Sequence, residues 1–105
     1  MSMTYIQFKN FNDFVRFLTF SPTPFVHYVK LNGCNVYFLQ FATFGISMLY
    51  YVELEKEIEE KYIIYNRFRD TISYSDKLES DGQSVCVPIL EVEKTNVFQE
   101  YPFKK

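Results

Sequence analysis

The chain has 105 residues, the size of one domain, and a formal charge of -2, which excludes a fold that coats nucleic acid through bulk positive charge. Aromatic residues make up 20% of it, from 12 Phe and 9 Tyr with no Trp, while Gly and Pro are scarce; that composition excludes a disordered chain. Residues 1–52 carry Lys9, Arg16 and Lys30 against Asp13, and the remaining charges, mixed in sign but acidic on balance, fall in 53–105 as a solvated surface.

Residues 4–9 alternate, with Tyr5, Gln7 and Lys9 against Ile6 and Phe8, and predict a short strand. Asn10 with Asp13 three positions on resembles a capping box, and Phe11, Phe14, Val15 and Leu18 form one apolar helical face. Ser21-Pro22-Thr23-Pro24 ends that helix, because proline lacks the N–H and restricts the residue before it. Phe17 and Phe20 lie off the apolar stripe.

Residues 31–52 carry no charge and are rich in Tyr, Phe, Val, Ile and Leu. A membrane helix needs about 20 apolar residues. Here Gln40, Thr43, Gly45 and Ser47 interrupt the run, and Lys30 and Glu53 flank it without a basic cluster, so strands are expected and no membrane. Asn32-Gly33 is a strong two-residue hairpin signal, since a type I′ turn needs positive φ at both central positions. It sets Leu31 opposite Cys34, Val29 opposite Val36 and His27 opposite Phe38 on one face, the face expected to meet the helix. Lys30 then lies opposite Asn35 and Tyr28 opposite Tyr37 on the other. Thr43 and Gly45 mark a second reversal into a strand over 46–52.

Residues 53–67 support two readings: a long hairpin with its charged tip near Glu59-Glu60, narrowly favoured, and a helix carried by Leu54, Ile58, Tyr62, Tyr65 and Phe68. Residues 70–74 read as extended, and Asp81-Gly82 as a turn. Residues 84–92 form an apolar strand in which Pro88 implies an edge or a bulge. The aromatic stretch 97–103 is expected to dock on its own domain or on a neighbour. The fold expected is a single α+β domain over 1–105, an N-terminal amphipathic helix packed on an antiparallel β-meander of five or six strands.

The chemical inventory is short. One His and two distant Cys supply no spaced metal-ligand pair, and Asp76, Glu79 and Asp81 lack the calcium-loop pattern. Three scattered glycines cannot write a phosphate loop. No metal and no cofactor are expected, and the chain is expected not to be an enzyme. The weak catalytic reading pairs Cys34 or Cys86 with His27, and the bland alternative is a hydrogen-bonded strand histidine. Without a secretory signal, the thiols are expected to be reduced in a cytoplasmic protein.

Residues 62–70, if a strand, place Tyr65, Arg67 and Arg69 on one face, a mixture that suits protein interfaces as well as base stacking. The aromatic supply also exceeds one core: Phe17, Phe20, Tyr28, Tyr37, Tyr50, Tyr51, Tyr101 and Phe103 cannot all be interior. The expected function is therefore a small protein-binding or regulatory domain, acting as a homodimer or on another protein through Tyr28, Tyr37, Tyr65, Arg67 and Arg69. A nucleic-acid-binding module using Tyr65, Arg67 and Arg69 is the alternative.

Overall fold

A computed structural model of the chain describes residues 2–21, 24–31, 33–79 and 82–93. The elements in order are β1 (Ser2–Gln7), α1 (Phe11–Leu18), β2 (Val26–Leu31), β3 (Cys34–Thr43), β4 (Ile46–Leu54), β5 (Tyr62–Asn66), β6 (Thr71–Ser75) and β7 (Ser84–Glu91). They form one seven-stranded sheet in the order β1-β4-β3-β2-β7-β5-β6, with one short helix among the described residues.

This overturns the expected antiparallel meander. The sheet is mixed: β1 runs parallel to β4, and β2 runs parallel to β7. Parallel neighbours need long crossovers, which leave no local sequence signature. The hairpin expected over 53–67 is also absent. β4 ends at Leu54, residues 55–61 are irregular, and β5 begins on the far side of β7, so the two strands are not neighbours. Nor is that segment a helix.

The β2–β3 ladder does follow the two-residue turn. Leu31 pairs with Cys34, Val29 with Val36 and His27 with Phe38. Asn32 itself lies outside the described residues, as do Asp81 and the aromatic stretch 97–103. α1 starts where Asn10 accepts the Asp13 N–H at 2.8 Å, which satisfies one of the donors a helix start leaves open.

The helix lies over the face that was not expected to receive it. Phe14, Val15 and Leu18 share a buried cluster with Val26, Tyr28, Tyr37, Leu39, Val52, Ile63, Tyr65 and Val87. Two tyrosines can sit in that core because their hydroxyls are satisfied: Tyr28 donates to Asn35 Oδ1 at 2.5 Å, and Tyr37 accepts the Ile58 N–H at 2.9 Å. Burial pushes the Tyr37 phenol up to about 12. The opposite face holds a second cluster of Val29, Leu31, Val36, Phe38, Leu49 and Tyr51. These six are buried within the single chain, so their lack of charge needs no second subunit as cover.

β7 is an interior strand, not an edge. Pro88 fits there for a geometric reason. Amide directions alternate along a strand, and Ile89 donates to the Lys61 carbonyl at 2.9 Å on the β5 side. Position 88 therefore faces β2, at a level where the β2 ladder, which starts at Val26 opposite Ile89, has not begun. The missing N–H removes no ladder bond.

His27 stacks on Phe38 at 5.2 Å and meets Phe25 edge-on at 5.0 Å. Its Nδ1 is buried without a hydrogen-bond partner, and burial lowers the imidazole below its ordinary 6.5. The unfolded chain therefore binds the proton more readily than the folded one. Its contribution is intact above pH 6.5 and is lost as pH falls from there through the lower folded value. The thermal midpoint of the wild type should drop between pH 7 and pH 5 more than that of His27→Leu, and parallel curves would refute this.

Candidate functional site

The expected site residues separate in the structure. Tyr28 and Tyr37 lie in the core under α1, so their rings are not a contact surface. β5 ends at Asn66, and residues 67–70 form a turn, so Arg67 and Arg69 do not continue the strand face of Tyr65. Tyr65 is buried, and its hydroxyl donates to Asp70 Oδ1 at 2.6 Å. Arg67 and Arg69 are exposed.

That turn is tied to α1. The Asn66 side chain accepts the Arg69 N–H at 2.9 Å, and Asp70 takes a left-handed φ of 55°, which Asp tolerates better than most residues. Asp70 then holds Arg16 of α1 through two contacts, from Nε at 2.8 Å and from Nη2 at 2.6 Å. Arg67 donates to the Thr19 carbonyl at 3.3 Å, where the last turn of α1 leaves acceptors open. Both arginines thus lock the end of the helix onto the β5–β6 turn.

The guanidinium of Arg16, with the Tyr65 hydroxyl, holds the Asp70 carboxyl down at about 2, against its ordinary 3.8. A depressed carboxylate stabilises the fold above its unfolded value, and the effect is lost as pH falls through about 2. Asp70→Asn keeps the left-handed preference and removes the charge. Its thermal midpoint should lie below that of the wild type at pH 5 and converge with it near pH 2. A constant gap would show that the ion pair contributes nothing. The pair is exposed, so salt should shrink the gap as well.

One end of the sheet collects exposed aromatic rings that the sequence patterns did not group. Phe20 follows α1 and is 82% exposed; Phe68 in the β5–β6 turn is 82% exposed; Phe44 at the β3–β4 tip is 98% exposed. The registers put Phe44 and Phe68 at the same end, and the Arg67 bond to the Thr19 carbonyl brings Phe20 there. Counting from β3 across β2 to β7 sets Thr43 level with Val85, which pairs with Tyr65 just before the β5–β6 turn. Arg67, Phe68, Gly82 and Gln83 line an open groove of about 330 Å³ there. The sequence flagged Phe20 because it fell off the helical stripe. Phe68 fitted both the helical stripe and the conditional strand over 62–70, and Phe44 was hidden inside an uncharged run.

Phe44 is also strained. With Gly45 it makes a turn whose central φ angles are 52° and 77°, and a bulky side chain rarely adopts the first. Asn fits that position better.

Neither thiol meets the histidine. Cys34 lies four positions along the β2–β3 ladder from the His27 row, and Cys86 lies four along β7 from Leu90, the neighbour of His27. Four residues of strand span about 13 Å, far beyond hydrogen-bond reach. The two cysteines form no disulfide. Among the described residues, no three of His, Cys, Asp and Glu come together as metal ligands. A second concavity of about 200 Å³ lies between Glu57, Glu59, Glu60, Lys56, Ile58 and Tyr74. No helix among the described residues is long and apolar enough to cross a membrane.

Comparison with protein-family models, with known proteins and with solved structures finds no match to this chain.

Proposed function

We propose that this is a non-enzymatic protein-binding domain, cytoplasmic, whose contact surface is the aromatic end of the sheet and whose partner is a second copy of itself. The observation that carries the reading is the placement of Phe20, Phe44 and Phe68 at one end, each at least 82% exposed. Every other aromatic ring described is far better covered, so exposure here is not the price of a crowded core. Phe and Arg are enriched where protein interfaces bury their centres, and Arg67 and Arg69 flank Phe68. Burying three such rings offers roughly 5–9 kcal/mol per copy, the same order as the cost of association, so the rings from both copies of a dimer are needed to offset it. The strained backbone at Phe44 supports the same reading, since strained positions cluster where a side chain serves a contact.

The test is the sedimentation behaviour of the wild type and of a Phe20→Ser, Phe44→Asn, Phe68→Ser variant across a concentration series. The wild type should dimerise with concentration and the variant should remain a monomer with its fold intact. A wild type that is monomeric at all concentrations overturns self-association. Phe44→Asn alone separates stability from contact. It should raise stability by about 0.5–1.5 kcal/mol by relieving the turn, measured by urea unfolding, while weakening association.

A second reading rests on the run Arg67-Phe68-Arg69, since an exposed ring between two cations can stack a base and hold phosphate. The net charge of -2 weighs against it. Absence of single-stranded oligonucleotide binding at low salt would remove it.

A further inference from the structure

The sheet ends at β6, which among the described residues has β5 as its one ladder neighbour. Its backbone directions follow from a single bond. Ile89 donates to the Lys61 carbonyl at 2.9 Å, directly across the β5–β7 register, so the backbone of Lys61 faces β7. Directions alternate along a strand, so Tyr62, Ile64 and Asn66 face β6. Their partners Ser75, Ser73 and Thr71 face back. That turns the N–H and C=O groups of Ile72 and Tyr74 outward, away from the sheet.

Proteins commonly blunt such an edge with a lysine, a proline or a bulge. Residues 71–75, Thr-Ile-Ser-Tyr-Ser, carry neither charge nor proline and pair with β5 one for one. The side chains of Ile72 and Tyr74 point to the α1 face, because their β5 partners Tyr65 and Ile63 are buried in the cluster there. Ile72 packs on that cluster, while Tyr74 remains 40% exposed.

The two ends of this edge differ in charge. Before β6 come Arg67 and Arg69, both exposed, with Asp70 already engaged by Arg16. After β6 come Asp76 and Glu79 with Lys77 between them. Tyr74 also lines the concavity of about 200 Å³ in which Glu57, Glu59 and Glu60 outnumber Lys56. A strand laid antiparallel along β6 would start at the acidic end and finish at the basic one.

We propose that β6 takes up an extended segment of a partner protein as a further antiparallel strand, basic in its first residues and acidic in its last. The outward groups of Ile72 and Tyr74 hold its backbone, and alternate side chains of the added strand fall on the α1 face. The residues opposite Tyr74 and Ile72 are apolar and β-branched, which suits pairing with an aromatic ring. The basic residue that precedes them on the same face meets Glu57, Glu59 and Glu60 in the concavity. This contact is separate from the aromatic end and does not rest on self-association.

The probe is the peptide Lys-Lys-Thr-Val-Thr-Val-Thr-Glu-Glu, blocked at both ends and titrated into the full chain at low salt, with the amide resonances of Ile72 and Tyr74 as the readout. Binding should saturate and move those two amides. Methylating both Val amide nitrogens, which face β6, should weaken it about tenfold or more, since carbonyls of β6 then lose their donors. Methylating the first two Thr amides, which face away, should change it by less than about threefold. Exchanging the Lys and Glu pairs should weaken binding about tenfold at low salt, and added salt should shrink that difference. No saturable binding at millimolar peptide overturns the proposal. Equal losses from Val and Thr methylation, or equal binding of the charge-exchanged peptide, also overturn it. Phe44→Asn should bind the peptide as the wild type does. A loss there would place the peptide on the aromatic end and overturn the assignment to β6.

Discussion

Tyr37→Ala is expected to lower the free energy of unfolding by about 3–5 kcal/mol, a large part of what holds a domain of this size together. The side chain is fully buried, with Phe11 against it at 5.6 Å and Tyr28 at 5.0 Å. Removing the ring leaves a cavity between α1 and the sheet that neither neighbour can fill without moving the backbone. It also strips the acceptor from the Ile58 N–H. Tyr37→Phe isolates that second loss and should cost about 1–2 kcal/mol. Urea unfolding of the three proteins measures both. If Tyr37 were a partner-contact residue, alanine would leave stability nearly unchanged, and that result would remove this account of the core.

Asn35→Leu is expected to cost about 2–4 kcal/mol, although leucine keeps asparagine's branched arrangement of side-chain heavy atoms, because it supplies neither an acceptor nor a donor and is the bulkier of the two. Asn35 is buried and joins two elements: it accepts from the Tyr28 hydroxyl and donates to the Glu55 carbonyl at 3.2 Å. Leucine leaves a buried hydroxyl without its acceptor and the start of the 55–61 segment without its donor. Adding Tyr28→Phe should restore part of the loss, because two apolar groups facing each other carry no desolvation penalty. The double variant should therefore be more stable than the sum of the single effects allows. Strict additivity in urea unfolding would show that the two side chains do not act together.

These two residues also mark the boundary between what local sequence shows and what it hides. Local features were legible because they depend on near neighbours: the Asn10 cap, the strands around 26–54 and the β2–β3 register. The side of the sheet that meets the helix was not. Counting apolar character favoured the Val29 and Val36 face over the face of Tyr28 and Tyr37. The tyrosines are interior because Asn35 and the Ile58 backbone supply partners for their hydroxyls, and that pairing spans 7 and 21 positions. Strand order was hidden for a related reason. The pairing of β1 with β4, and of β7 with both β2 and β5, joins distant segments whose local patterns are indifferent to the partner. The candidate surface was half legible. Phe20 stood off its helical stripe, but Phe68 gained its exposure only because β5 stops at Asn66 and Arg67 turns back onto the end of α1.

The position of β7 has a consequence for how the molecule is made. It is the last described strand in the chain, yet among the described residues it alone links β1-β4-β3-β2 to β5-β6. A ribosome that has released the first six strands holds two incomplete sheets, each with an open edge. The β2 edge and the β5 edge are then unpaired strands that another nascent chain could extend. Closure waits for the final strand, and its contacts with β2 span most of the chain, so refolding should fall at the slow end for this size. An arrest of synthesis before residue 84 should give aggregation-prone chains, while arrest after the chain has cleared the exit tunnel should give soluble ones.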